Sequence, residues 1–126
     1  MIEPKYSGDY FKSREHVARE FEEGTGDRYS DDISKFAVAA DFPRDKDILY
    51  ASYEHGGYEG WAFVLFQRGG KLFEVHGSHC SCFGLEGQWK PEETSWAAIA
   101  MREPDQFGAP REVITEAKKR VKRATR

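Results

Sequence analysis

The sequence predicts an α+β fold: a three-stranded antiparallel β-meander packed with amino- and carboxy-terminal helices. Residues 48–76 are rich in aromatic rings, which favour sheet, and Gly69-Gly70 falls where a tight hairpin would turn. The flanking stretches repeat apolar residues at helical spacing. At 126 residues the chain can bury a core unaided, so 1–126 is read as one domain with a basic helical tail at 110–126.

Taken in order, residues 9–23 read as an amphipathic helix with Tyr10, Val17 and Phe21 on one stripe, Phe11 and Ala18 beside it, and Gly24 as its stop. Ser30 followed by Asp31 and Asp32 reads as a cap with acids in the first turn. Ile33, Phe36, Ala37 and Ala40 then repeat at helical spacing, which favours a second short helix over a strand at 35–39. The meander follows, with strands at 48–53, 61–67 and 71–75. In the middle strand Trp61, Phe63 and Leu65 alternate with Ala62, Val64 and Phe66, so both faces of the sheet need covering. Pro91-Glu92-Glu93 reads as a helix start, with Trp96, Ile99 and Ala100 as its buried stripe and Pro104 as its end. Pro110 opens a last helix that buries Val113, Ile114, Ala117 and Val121.

Charge is unevenly placed. The net charge is −3, yet residues 110–126 hold seven Lys or Arg against two Glu, a local +5. That leaves twelve cations against twenty acids, −8, in the first 109 residues. No apolar run approaches the roughly 18 residues a membrane span needs, and the start Met-Ile-Glu-Pro-Lys lacks a signal-peptide core. The expected setting is the cytosol, with no membrane partner.

Between the third strand and the Pro91 signal lies His76-Gly-Ser-His-Cys-Ser-Cys-Phe-Gly-Leu-Glu-Gly-Gln-Trp89, read as a connecting loop. His76, His79, Cys80 and Cys82 fall within seven positions and are of the types that hold zinc in tetrahedral array. The usual second ligand pair is missing, although His55 is a candidate remote ligand. Cys80 or Cys82 paired with His79 or His55 is a candidate thiol nucleophile, but no established local signature surrounds it. The structural reading ranks first: buried cysteines that act as small hydrophobes, glycines that set the turn, and Trp89 as an anchor. It requires no cofactor, and it leaves Cys80 and Cys82 as free thiols in a reducing cytosol.

One wider pattern stands out. It comprises Ile48-Leu49-Tyr50-Ala51-Ser52-Tyr53, Gly60-Trp61-Ala62-Phe63-Val64-Leu65-Phe66, Gly70-Lys71-Leu72-Phe73-Glu74-Val75, Gly77-Ser78-His79-Cys80-Ser81-Cys82 and Gly84-Leu85-Glu86-Gly87-Gln88-Trp89-Lys90-Pro91-Glu92-Glu93-Thr94. This pattern, within Asp47 to Arg102, resembles a family of small tailed-phage and prophage proteins of unknown function. The resemblance implies a phage or prophage origin and a bacterial host cytosol as the setting. It carries over no functional residue.

Two surfaces are candidates for partners. Tyr53, Tyr58 and Trp61 gather around the glycine-rich connection, and Tyr and Trp are enriched at protein-binding hot spots. Lys118, Lys119, Lys122 and Arg123 lie opposite the apolar stripe of the last helix and are candidate contacts for nucleic acid. Against nucleic acid stands the repulsion expected from an acidic body. The ranking is therefore a non-enzymatic binding protein that modulates or inhibits a host bacterial protein, such as a defence or nucleic-acid machine. After it come a metal- or thiol-dependent enzyme centred on His79, Cys80 and Cys82, and nucleic-acid binding through the tail.

Overall fold

A computed structural model describes residues 2–8, 10–56, 58–80, 84–105 and 108–124, with 55 and 56 described by backbone alone. The chain forms β1 (Tyr6–Gly8), α1 (Arg14–Phe21), β2 (Gly24–Gly26), β3 (Phe36–Val38), β4 (Ile48–Gly56), β5 (Glu59–Arg68), β6 (Lys71–His79), β7 (Glu92–Thr94), α2 (Trp96–Ala100) and α3 (Arg111–Ala124).

The expected meander is β4, β5 and β6, antiparallel throughout. Gly69 and Gly70 have φ of 59° and 77°, the left-handed pair that a two-residue hairpin turn needs to match strand twist. The sheet is wider than the meander. β1 adds in parallel to β4 and β7 adds antiparallel to β6, giving a five-stranded mixed sheet in the order β1-β4-β5-β6-β7.

Strand alternation divides the interior into two cores. Ala62, Val64 and Phe66 of β5 face α1 and pack with Phe11, Val17, Ala18, Phe21, Phe36 and Phe42. Phe63 and Leu65 face the other way and pack with Tyr50, Ile99, Val113, Ile114 and Ala117. A bulge between Ile48 and Tyr50 resets the alternation of β4, so Ile48 and Ala51 serve the first core while Tyr50 serves the second.

Three expectations need correction. The first helix is shorter than 9–23: Ser13 caps it by accepting from the His16 N–H, and it ends at a left-handed Glu22 rather than at Gly24. Gly24 instead opens β2, and Tyr10 precedes the helix and rests on the Tyr53 ring at 5.0 Å. The second expected helix is a 3₁₀ turn, Ile33–Lys35, capped by Asp32, followed by β3 paired with β2. Pairing with Gly24-Thr25-Gly26 buries Phe36 as a strand residue, and this tertiary contact overrides the helical spacing. Pro91-Glu92-Glu93 does not start a helix. Glu92 and Glu93 lie in β7, and α2 begins only after Ser95, whose hydroxyl accepts from the Ala98 N–H. α3 follows Pro110 as expected, with Val113, Ile114 and Ala117 buried and Val121 half-buried.

No described helix is long and apolar enough to cross a membrane.

Candidate functional site

The glycine-, cysteine- and tryptophan-bearing segment begins as strand. β6 continues through His79, and Cys80 still forms a bridge beyond it. The strand then loses β7 as a neighbour, because β7 pairs only with Leu72, Phe73 and Glu74. Gln88 takes over at Ser78. Its side-chain oxygen accepts from the Ser78 N–H at 2.9 Å, and its nitrogen donates to the carbonyls of Ser78 at 2.7 Å and Gly84 at 2.8 Å. A side-chain amide thus substitutes for a strand neighbour and satisfies backbone groups that would otherwise compete for water.

Two apolar side chains of the same segment seal the first core. Leu85 is fully buried above Gly77, where a Cβ would press on Leu85 and Phe21 at 2.9 and 3.2 Å. Trp89 meets Phe42 at 4.7 Å, Phe21 at 5.2 Å and Phe66 at 5.7 Å. These residues form a strap that fixes the end of β6 to α1.

Strand alternation also disperses the candidate metal and thiol residues. His76 pairs across from Phe63 and lies on the α2–α3 face; its ring meets Phe63 edge-on at 5.2 Å. His79 pairs across from Gly60 on the α1 face, with its ring against Tyr53 at 5.5 Å. A Cβ on Gly60 would overlap the His79 ring, so glycine there makes room for the imidazole. Cys80 is half-buried at the end of the strand. Cys82 and the His55 side chain lie outside the described residues. Among the described residues no three His, Cys, Asp or Glu side chains gather as metal ligands.

The polar group that the sequence reading missed is Glu74. It is 5% exposed and lies on β6, in register with Glu92 of β7, on the α2–α3 face. Arg102 donates to its two oxygens at 2.6 and 2.9 Å, and the His76 ring lies 2.5 Å from one of them. Burial alone would raise this carboxyl, but hydrogen bonds from His76, Arg102 and Thr94 hold it at about 2. Arg102 also donates to the Gly108 carbonyl at 3.0 Å, tying the segment before α3 to the sheet. One sequence signal for this network was available: Leu72, Glu74 and His76 share a face by alternation, so a charge there needs a partner.

The aromatic trio is split in the same way. Tyr53 is 4% exposed within the first core, where burial and the carboxylates of Glu20 and Glu86 raise its phenol. Tyr58 is 82% exposed at the tip of the β4–β5 turn. Trp61 is half-buried on the opposite face from Tyr53, because Trp61 pairs with Glu54 and Tyr53 with Ala62. The expected three-residue patch is therefore reduced to Tyr58 and Trp61.

Trp61 and Phe63 line a hollow of about 270 Å³ between β4–β5 and the segment leading into α3. Glu54, Asp105, Arg111 and Glu112 also line it. Glu112 accepts a 2.5 Å hydrogen bond from the Tyr50 hydroxyl; burial first, then this bond, pushes the Tyr50 phenol up to about 12.

The described cationic residues of the tail lie on α3. Lys118, Lys119, Lys122 and Arg123 are all exposed, while Arg120 turns aside to stack on Trp96 at 4.4 Å and pair with Glu116 at 3.4 Å. Comparison of the chain with protein-family models, with curated proteins and with solved structures finds no match.

Proposed function

We propose that this chain is a non-catalytic binding protein of the tailed-phage type, which docks on a bacterial host protein in the host cytosol and uses the hollow beside Trp61 as its anchor point. The observation that carries this reading is the composition of that hollow: its lining joins Trp61 and Phe63 with three acidic residues, Glu54, Asp105 and Glu112, and one basic residue, Arg111. Such a site takes a basic side chain. A Lys or Arg head gains from the Trp61 face and from the carboxylates together, more so as water is displaced. Tyr58, at the neighbouring turn, adds an exposed ring of the kind that anchors protein interfaces. The strap residues support the fold, which suits a protein whose outer surface rather than a reactive centre does the work.

The test is capture from bacterial lysate, with identification of what is retained. A saturable partner held by the native chain and lost with Trp61→Ala or with Glu54→Gln/Glu112→Gln, in variants that keep the native circular dichroism, is the expected result. Retention of the same partner by both variants would overturn the reading. So would stoichiometric zinc in the purified protein, or a cysteine labelled far faster than a free thiol at neutral pH.

A further inference from the structure

We infer that α3 presents Lys118, Lys119, Lys122 and Arg123 to the phosphate backbone of a nucleic-acid duplex, a second binding surface independent of the hollow beside Trp61. On a helix these four side chains occupy two adjacent rows spaced four residues apart, with Lys119 opposite the buried Val113, Ile114 and Ala117 and Lys118 and Lys122 continuing outward from the row of Ile114. Val113, Ile114 and Ala117 are held in the second core, so the cationic rows are turned to the solvent side of the helix. Successive cations within a row are about 6 Å apart along the axis. They form a rigid line of charge, not a flexible tail.

An acidic body would repel a duplex if its charge surrounded the cations of α3; Glu54, Asp105 and Glu112 gather at the other, amino-terminal end of the helix, and the fold sets the largest share of the acidic charge on the far face. Residues 20–41 carry seven acids against Arg28 and Lys35, a local −5. That segment covers the α1 face through Phe21 and Phe36, whereas α3 covers the other face through Val113, Ile114 and Ala117. The sheet lies between them, with a packing layer of about 10 Å on each side. A Debye length of about 10 Å at 0.1 M salt therefore screens the acids from anything seated on α3. No aromatic side chain stands among the four cations, so the surface fits the outside of a duplex better than the bases of a single strand. The contacts are to phosphate alone, which makes the binding independent of sequence.

The experiment is fluorescence anisotropy of the full chain with a labelled random-sequence DNA duplex across a salt series. We expect binding at about 50 mM salt with a log–log slope of roughly −3 to −4, as four neutralised phosphates give. Each single Lys→Gln or Arg→Gln change at the four positions removes about one from that slope. Neutralising all four abolishes binding, while Asp27→Asn/Asp31→Asn/Asp32→Asn on the opposite face changes it by less than about twofold, as screening predicts. No binding at about 50 mM salt, full binding by the fourfold variant, or stronger competition by polyglutamate than by unlabelled duplex would each overturn the proposal. Loss of the lysate partner on changing Trp61 leaves this result untouched, so the two surfaces are judged separately.

Discussion

Arg102 grips Glu74 with both terminal guanidinium nitrogens, at 2.6 and 2.9 Å, on the buried side of β6. The pair ties the end of α2 to the sheet, and its strength depends on pH. The folded Glu74 carboxyl lies at about 2, below its ordinary 4.5. Its contribution is therefore complete above about pH 4.5 and fades as the pH falls from there through about 2, a loss of roughly 3 kcal/mol. Urea unfolding at pH 7, 4 and 2.5 should show this decline in the native chain. Glu74→Gln should be less stable at pH 7 and should lack this part of the acid dependence.

Gln88→Ala removes three hydrogen bonds to backbone groups and leaves Ser78 without its edge partner. We expect a loss of about 1–3 kcal/mol. Hydrogen exchange gives the sharper reading, since the Ser78 amide should exchange much faster in the variant while amides within β4–β5 slow or speed only with global stability.

Trp89→Ala strips a ring that touches Phe21, Phe42 and Phe66. Truncating so large a side chain costs about 3–5 kcal/mol, and here the figure belongs near the lower end because Trp89 is only half-buried. Calorimetry should show the lower melting temperature, and the near-ultraviolet circular dichroism of the ring cluster should weaken.

Gly60→Ala places a methyl group against the His79 ring and within 2.8 Å of the Glu54 carbonyl. Overpacking of this kind costs about 1–3 kcal/mol. Because His79 sits edge-on to Tyr53, the displacement should shift the His79 ring proton resonances even where the variant remains folded.

The meander was legible because its evidence is local: alternating apolar residues and a glycine pair that only a hairpin explains. α3 was legible for the same reason, through Pro110 and a regular apolar row. β1 and β7 were not. Each is three residues long, and each owes its conformation to a longer strand beside it, Tyr6-Ser7-Gly8 to β4 and Glu92-Glu93-Thr94 to β6. Phe36 misled because one three-residue spacing fits both a 3₁₀ turn running into a strand and a helix. Gly77 misled differently. It reads as a turn glycine, whereas it lies inside β6 because Leu85 and Phe21 leave no room for a side chain. Ending the strand near Gly77 is what made His76 and His79 look like neighbours on a loop. Once the strand runs on, their odd spacing sends them to opposite faces. For the partner surfaces, the sequence marked Trp61 and the four cations of α3, but the acidic residues that line the hollow with Trp61 come together only through the fold.

The way β5 serves both cores has a mechanical consequence. Val64 and Phe66 anchor one side of the molecule, and Phe63 and Leu65, between and beside them on the same strand, anchor the other. Peeling α3 away would strip cover from the strand that also supports the α1 side, so neither half can melt and leave its counterpart whole. Heat or denaturant should therefore dismantle the molecule in a single concerted transition, with probes on either side reporting the same midpoint.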